Sequence, residues 1–246
     1  MSVFAENHDS IAIVPVRAGS KGLTKKNVRL FNGKPLFLHT AFQALRVVGK
    51  VVITTDIAEI REMEMPADCS VCWRPDELCG DDVPMSTVID HVIRNHDLAG
   101  YTLVLLQATS PLRSDQDIWR ALDLFGTGSY SLVMTVTKKD SAALKHGTLC
   151  SDRYVPLGDQ EDCFKNRQQL RSVYGPNGAV YVFGADQFVA DGGFPSGRIG
   201  AVEVPFERSI DIDSEDDLRL AERLSEYNDR DETASDSRAG GSSDRI

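Results

Sequence analysis

Short apolar segments alternate with amphipathic ones along most of the chain, and this alternation restricts the fold more than any other feature. The apolar segments, such as residues 11–16 and 102–106, are rich in branched side chains and contain no regular polar positions. That pattern is typical of strands buried on both faces. Helical spacing recurs between them, as at residues 35–47. The alternation predicts an α/β protein whose mostly parallel sheet is covered by helices on both faces.

The predicted elements follow in chain order. We expect strands at residues 11–16, 50–56, 70–73, 102–106, 131–137, 179–183 and 201–204, and helices at 35–47, 86–96, 114–125 and 214–227. Ser114 is the expected N-cap of the third helix, and Asp117 stands at the position that completes a capping box. A chain of 246 residues is long enough for these elements to bury one sizeable core.

The alternation stops between residues 138 and 175, where the sequence is polar and shows no period. We interpret 138–175 as an inserted arm, so that residues 11–137 and 176–227 form one domain around it. Residues 1–10 would be an N-terminal extension. Residues 228–246 hold Ser, Gly, Asp and Arg with almost nothing apolar, which predicts a disordered tail.

Composition limits the class of partner. With 37 acidic and 27 basic side chains the formal net charge is −10, which argues against general nucleic-acid binding because that requires an excess of Lys and Arg. The first ten residues lack the basic start and apolar run of a signal peptide, and no uninterrupted apolar stretch approaches bilayer length. We therefore expect a cytoplasmic protein, not bound to a membrane, whose five cysteines are reduced.

A basic loop that contains glycine follows the first predicted strand. Residues 17–27 read RAGSKGLTKKN and hold four basic side chains within ten residues. The backbone N–H groups of such a loop can turn toward phosphate oxygens, and the basic side chains supply the positive charge that a triphosphate requires. The loop is neither a Walker A motif nor a Gly-x-Gly-x-x-Gly fingerprint. Taken alone, it fits a solvent-exposed basic turn equally well.

Two carboxylates stand two residues apart near the last predicted helix. Asp211 and Asp213 belong to the run IDIDSEDD at 210–217, and on an extended segment such residues face the same way. Carboxylates that face the same way repel each other, and Mg²⁺ is the natural cation to lie between them beside a triphosphate. The alternative is that these acids stabilise the N-terminus of the next helix. That explains residues 214–217 but not the two earlier carboxylates.

Polar segments follow other predicted strands as well. The run LLQATSPLR at 105–113 leaves a strand at the edge where α/β proteins bind ligands, although a helix-capping turn explains it too. The runs NRQQ at 166–169 and GPNGAVY at 175–181 suit an anionic, hydroxylated ligand, or, taken alone, an ordinary surface. Cys69 and Cys72 lack a second pair at zinc-finger spacing. No Gly-x-Ser-x-Gly elbow indicates a hydrolase.

In this order and spacing, the segments RAGSKGLTKKN, LLQATSPLR, RQQL, PNGAVY and IDIDSEDDL resemble the N-acylneuraminate cytidylyltransferases, or CMP-sialic acid synthetases, over residues 11–226. The resemblance implies a three-layer α/β/α Rossmann-like nucleotide-diphosphosugar-transferase fold with a small dimerisation arm. It also implies a reaction of CTP with a nine-carbon α-keto acid sugar, with Mg²⁺ as cofactor and pyrophosphate as the second product.

The resemblance also implies which residues bind the substrates and the metal. It implies that the CTP phosphates are held by Arg17, Lys21, Lys26 and Asn27, the cytosine side by Ser86, the acylated sugar by Gln107, Lys145, Arg167 and Tyr181, and the metal by Asp211 and Asp213. Lys26, Arg17 and Asp211 would be the catalytic groups. In such an enzyme the arm reaches across a homodimer, so that Lys145 and Arg167 would complete the neighbouring protomer's site.

Two positions depart from the family pattern. Ala108 stands where a Pro is usual after the Gln, and Gly175 stands where an Arg commonly precedes Pro-Asn-Gly. We hypothesise that Arg171, four residues upstream, takes the place of that Arg. Two alternatives stay open: a cytidylyltransferase for a related acid sugar, such as legionaminic, pseudaminic or deaminated neuraminic acid, and a non-catalytic nucleotide-binding module on the same fold.

Overall fold

The computed structural model describes residues 10–19 and 22–226. The predictions for Lys21, for the N-terminal extension up to residue 9 and for the tail from residue 228 lie outside the described residues. Within them, no helix combines the length and the apolar character that crossing a bilayer requires.

Eleven strands and six α-helices occur in the described part of the chain. The strands are β1 (Ser10–Val16), β2 (Leu30–Phe31), β3 (Lys34–Pro35), β4 (Val51–Thr55), β5 (Cys69–Trp73), β6 (Thr102–Leu106), β7 (Leu132–Lys139), β8 (Gly147–Cys150), β9 (Arg153–Pro156), β10 (Val173–Gly184) and β11 (Ile199–Glu203). The helices are α1 (Leu36–Val47), α2 (Ala58–Arg61), α3 (Met85–His96), α4 (Asp115–Gly126), α5 (Ala185–Asp191) and α6 (residues 215–226).

Seven strands form one sheet in the order β11-β7-β10-β6-β1-β4-β5. Only β10 runs against its neighbours, pairing antiparallel with β6 and β7, while the other pairs are parallel. The carboxyl ends of β1, β4, β6 and β7 therefore meet at one edge of the sheet. In open α/β sheets ligands bind at that edge.

The sheet is buried on both faces because alternate residues of each strand enter different apolar clusters. On one face Ala12 and Val14 of β1 pack with α1 and α4. On the other, Ile11 and Ile13 pack with α3 and α5. A strand with two buried faces has no polar side, which is why these strands read as unbroken apolar runs. The predicted mostly parallel α/β fold with three layers is confirmed.

The local prediction for α4 is also confirmed. The Ser114 hydroxyl accepts a hydrogen bond from the Asp117 backbone N–H at 3.2 Å, and the Asp117 carboxylate accepts one from the Ser114 backbone N–H at 2.9 Å. This is a complete capping box with Asp at the third position.

Two strands extend further than the sequence pattern indicates. β7 continues to Lys139 and β10 begins at Val173, so the pair runs into both ends of the segment predicted as an arm. Their register shifts between Pro176 and Tyr181. Asn177 spans this irregularity: its side-chain oxygen accepts from the Thr135 hydroxyl at 2.6 Å. A bulge and a polar strand end carry no period of two, which explains why residues 173–178 were not predicted as strand.

The arm contains a hairpin of β8 and β9 followed by short 3₁₀ turns. Its internal support centres on Asp162, whose buried carboxylate accepts a hydrogen bond from the Lys165 ammonium at 2.9 Å. The same carboxylate lies 3.3 Å from the Arg171 guanidinium. Several large apolar side chains of the arm nevertheless remain at the surface.

Candidate functional site

The basic loop after β1 lies directly against the segment that carries the two carboxylates. The Lys26 ammonium donates to the Asp213 carboxylate at 2.6 Å. At Gly22 a Cβ atom would stand 2.3 Å from the backbone oxygen of Asp213, so only glycine permits this approach. Two segments almost 190 residues apart in sequence thus form one surface. The sequence pattern alone indicates only two separate motifs.

The other end of the loop is fixed to neighbouring strand ends. Asn27 is buried and donates to the backbone oxygen of Arg17 at 2.9 Å, while the Ala18 N–H donates to the Asp56 carboxylate at 2.7 Å. The Arg17 guanidinium donates to the Asp81 carboxylate at 2.6 Å. Arg17, Lys26 and Asn27 therefore all belong to this loop surface, with Asn27 shaping the loop through its backbone contact.

The carboxylate segment is held to the turn that follows β6. The Ile212 N–H donates to the Thr109 carbonyl at 2.8 Å, and the Thr109 hydroxyl hydrogen-bonds Asp211. Ile212 is buried between two solvent-accessible acids. As the spacing predicted, Asp211 and Asp213 therefore share the exposed side of an extended segment.

The charge state of Asp211 reflects its crowding. The residue keeps a solvent-exposed surface, yet enough of the chain surrounds the carboxyl group to desolvate it, and this raises its pKa from the usual value. The negative charge of Asp213 raises the pKa further, while the Thr109 hydroxyl and the Lys26 ammonium oppose the shift. An ionised Asp211 is therefore a carboxylate short of positive charge, as expected of a group that binds a cation.

A partly buried ion pair anchors the chain just before this segment. The Arg208 guanidinium donates twice, at 3.0 Å each, to the carboxylate of Asp117, whose side chain is fully buried. Burial acts to raise the pKa of Asp117, but the hydrogen bonds from Arg208 and Ser114 outweigh it and hold that pKa below the usual value. The sequence pattern predicts only a capping role for Asp117, because its second partner lies 91 residues away.

Gln107 and Tyr181 lie on neighbouring strands at the same edge. Gln107 directly follows β6, and Tyr181 of β10 pairs with Leu105 of β6. Burial raises the pKa of the Tyr181 hydroxyl, and the nearby charge of Asp211 raises it further. The two residues predicted to contact the sugar are therefore brought close to the carboxylate segment.

The three other predicted residues lie on other elements, α3 and the arm. Ser86 lies in the first turn of α3, with its Cβ 3.6 Å from the position of a Cβ at Gly193. Lys145 ends a 3₁₀ turn of the arm, and its carbonyl accepts from the Tyr154 hydroxyl at 2.5 Å. Arg167 forms an ion pair with Asp140 within the arm.

Two basic residues matter for the unusual Gly175, and both lie in the arm: Arg171, its predicted substitute, and Lys139, its neighbour in space. Arg171 donates to the Asp159 carboxylate at 2.7 Å and lies close to that of Asp162. The aliphatic stem of Lys139 covers the glycine: a Cβ at position 175 would stand 3.2 Å from the Lys139 Cε atom and 3.3 Å from its Cγ atom.

The described residues contain no cluster of three or more His, Cys, Asp or Glu side chains placed to hold a metal ion. Asp211 and Asp213 together supply two carboxylates at one point. This donor set suits Mg²⁺, which is commonly held by one or two carboxylates together with waters and substrate phosphates.

Comparison with known proteins shows the family of this chain. A family model described as cytidylyltransferase matches residues 11–151, more than half of the chain. The chain belongs to the cytidylyltransferase family. A CMP-N,N'-diacetyllegionaminic acid synthase of Legionella pneumophila is 31% identical to this cytidylyltransferase over 228 residues, which cover 89% of this chain and 97% of that protein.

An N-acylneuraminate cytidylyltransferase of Streptococcus agalactiae serotype V is 29% identical over 212 residues, or 85% of this chain and 51% of that protein. The chain thus spans about half the length of this relative. Among solved structures, a CMP:2-keto-3-deoxy-manno-octonic acid synthetase complexed with CTP superposes with a TM-score of 0.66 at 15% identity, covering 89% of this chain and 99% of that one. The shared fold of this cytidylyltransferase is therefore the nucleotidyltransferase fold.

Proposed function

We propose that this cytidylyltransferase transfers CMP from CTP to a nine-carbon α-keto acid sugar of the acylneuraminate class and releases pyrophosphate. The observation that carries the proposal is the contact between the basic loop and the acidic pair, with Lys26 and Asp213 2.6 Å apart. Positive charge for a triphosphate and carboxylates for its cation thus stand together at the carboxyl edge of the sheet. In phosphoryl transfer, positioning and neutralisation of charge do most of the catalytic work.

Different parts of the chain would bind different parts of the two substrates. Arg17 and Lys26, with Lys21 and Asn27 of the same loop, bind the phosphates and stabilise the charge that develops on the departing pyrophosphate. Gln107 and Tyr181 orient the sugar so that its anomeric hydroxyl faces the α-phosphorus in line with the leaving group. Ser86 contacts the cytosine side.

Asp211 and Asp213 would hold Mg²⁺. When bound there, the ion supplies Lewis-acid polarisation of the phosphate and lowers the pKa of a coordinated hydroxyl. The raised pKa of Asp211 supports this role, because a desolvated carboxylate beside a like charge gains more from a cation than an isolated one does. Lys26 neutralises part of the same charge when it pairs with Asp213.

The arm supports the proposal of a homodimer with shared sites. Phe164 is 85% exposed, Leu149 74% and Leu157 71%, which is unusual for large apolar side chains of one short segment and typical of a surface that binds protein. A cytidylyltransferase dimer built through this arm would bring Lys145 and Arg167 to the partner's sugar.

A second candidate substrate is a diacetylated legionaminic acid. It is favoured by the similarity to the Legionella pneumophila synthase, which is 31% identical over 97% of its length. The two candidates share the nine-carbon α-keto acid, so the same residues would bind either sugar.

The decisive experiment measures pyrophosphate release from CTP and Mg²⁺ with a panel of acid sugars: N-acetylneuraminic, N,N'-diacetyllegionaminic, pseudaminic and deaminated neuraminic acid. Asp211→Asn is the inactive control, and Asp216→Asn, an exposed acid of the next helix turn, is the matched active one. Turnover with one sugar well above the others identifies the substrate. Binding of CTP without turnover on any sugar overturns the proposal and leaves a nucleotide-binding module.

A further inference from the structure

Arg113 is a fully buried arginine at the centre of the site's scaffold. Its guanidinium donates to the carbonyls of Gln107 at 2.8 Å and Ala179 at 3.1 Å. It also donates to the Gln43 side-chain oxygen at 2.9 Å and to the Thr40 hydroxyl at 2.5 Å. All four acceptors are neutral, and the residue is only 2% exposed.

Removing such a charge from water costs free energy. Within the described residues no carboxylate lies within ion-pair distance of Arg113, and Asp115 and Asp117 favour its charge only from further away. Desolvation accordingly lowers the pKa of its guanidinium. A methionine or leucine in this interior would avoid the desolvation cost, so packing alone does not account for an arginine here.

The two carbonyls that Arg113 joins belong to the ends of two site strands. The β6–β10 ladder ends with the pair Leu106 and Val180. Gln107 follows Leu106, and Ala179 precedes Val180. One guanidinium nitrogen of Arg113 donates to both carbonyls, so it links the two strands just beyond the last backbone pair. The strand ends that carry Gln107 and Tyr181 are thereby held at a fixed distance.

The same contact reaches the carboxylate segment through one turn. The Gln107 carbonyl also accepts from the Ser110 N–H at 3.3 Å, closing a turn that contains Thr109. Thr109 in turn holds Asp211 through its hydroxyl and Ile212 through its carbonyl. Displacing Gln107 would therefore displace both the sugar side and the carboxylate side of the site.

We propose that Arg113 is a positioning residue that fixes the sugar-facing strand ends of β6 and β10, and through the Thr109 turn Asp211, while it contacts neither substrate. The inference rests on the proposed function for its kinetic consequence. Lysine cannot replace this arginine, because one ammonium cannot donate in the fork geometry to four acceptors on three elements. The basic loop touches the carboxylate segment, but it also has anchors of its own, from Asn27 to the Arg17 carbonyl and from Ala18 to Asp56.

The test compares Arg113→Lys with Arg46→Met. Arg46 lies in the same cluster, paired with Asp115 on the exposed side, and has no contact with the strand ends. For Arg113→Lys we expect the KM for the acid sugar to rise by about tenfold or more, because small misplacements of binding groups cost much of the rate. The KM for CTP should rise by a smaller factor than the KM for the sugar, because the basic loop keeps its own anchors, and Arg46→Met should change neither value.

A purely structural role predicts a different result: a lower melting temperature and a smaller active fraction, with both KM values unchanged. That result would overturn the proposal. If Arg113→Lys does not fold, Thr40→Val decides, because it removes one acceptor and keeps the arginine. It should raise the KM for the sugar in the same direction, and an unchanged value in this folded variant counts against the proposal.

A second readout does not depend on catalysis. Loss of the Arg113 contacts should speed hydrogen exchange at the Ser110 and Ile212 amides, while amides in the centre of β1 keep their protection. If the unmodified enzyme turns over no acid sugar but these amides lose protection in Arg113→Lys, the proposed function is wrong and the positioning role stands. Unchanged exchange together with normal sugar KM removes the positioning role and leaves the function intact.

Discussion

The domain formed by residues 11–137 and 176–226, called the body below, and the arm both carry predicted site residues. They hold these residues in different ways. In the body, the site surface is supported by buried polar contacts, among them Arg208 with Asp117 and Arg113 with two strand ends. In the arm, Arg167 is held by an exposed ion pair with Asp140, which contributes little to stability. Arg171 pairs with exposed Asp159 and also lies close to buried Asp162. The body therefore holds its predicted site residues on a surface with buried support.

The arm, in contrast, leaves apolar surface uncovered. Phe164 and Leu157 are among the most exposed large apolar side chains of the described residues. A short segment that exposes them in isolation gains by covering them with a second chain. The difference teaches that the body supports its predicted site residues within one chain, while the arm leaves an apolar surface of the kind that binds another protein.

The contrast in stability is sharpest for two acids that each pair with an arginine. Asp117→Ala removes a buried carboxylate, both Arg208 hydrogen bonds and the bond from the Ser114 backbone N–H that completes the capping box of α4. We expect the free energy of unfolding to fall by about 3 kcal/mol, the lower end for breaking a buried pair, since Arg208 can regain water. Asp159→Ala in the arm should cost less than about 1 kcal/mol. Urea unfolding measures both, and equal losses would remove the distinction.

For catalysis, the body should be decisive through Asp211. We expect Asp211→Asn to lower kcat by about two orders of magnitude or more, the scale of losing a main electrostatic stabiliser. The measurement is the steady-state rate at saturating CTP, sugar and Mg²⁺, with Asp216→Asn as control. Near-normal turnover in Asp211→Asn would refute the metal role of this pair.

The arm's contribution can be separated from the body's by mixing two inactive chains. Arg167→Ala disables the arm and Lys26→Ala disables the loop, and each homodimer should be nearly inactive. If each arm serves the partner's site, a one-to-one mixture restores about a quarter of the unmodified activity, because half of the dimers are mixed and each has one intact site. The specific activity of the mixture is measured after exchange of subunits. No recovery means that each arm serves its own chain or that no dimer forms.

Local patterns account for what could be predicted from the sequence. Strands buried on both faces form apolar runs, and the spacing of Asp211 and Asp213 sets their common side, so both were visible without a structure. Arg113 and Arg208 were not, because nothing near them in sequence separates a buried arginine from an exposed one. Their partners lie up to 91 residues away, and Gly22 lies 191 residues from Asp213, whose backbone oxygen makes glycine necessary there. The polar ends of β7 and β10 could not be predicted, because their residues do not alternate between apolar and polar.

Asp211 also yields a prediction for stability against pH. Its pKa is raised in the folded protein, so the folded state binds the proton more tightly than the unfolded state does. Ionisation of Asp211 therefore costs stability above the folded pKa, and the cost disappears as the pH falls below the unfolded pKa. Asp211→Asn should have a slightly higher melting temperature than the unmodified protein at pH 7 and lose this advantage on acidification. A variant that melts earlier at pH 7 contradicts the assigned desolvation.

The smallest expected effect concerns the position where the family commonly has an arginine. Arg171 was the predicted substitute, but it is engaged by Asp159 and Asp162 inside the arm. We therefore expect Arg171→Ala to change the KM for the sugar by less than about twofold. Lys139 has no such carboxylate within reach among the described residues, and its stem lies over Gly175.

Lys139→Met should therefore raise the KM for the acid sugar more than Arg171→Ala does, by about three- to fivefold, which is what one exposed ion pair contributes. Methionine keeps most of the apolar stem that covers Gly175, so the comparison isolates the ammonium. Both values are measured at saturating CTP in the dimer. A tenfold rise in Arg171→Ala with none in Lys139→Met would mean that Arg171 leaves its two carboxylates when the sugar binds, and the arm would then be remodelled by substrate rather than held by its own ion pairs.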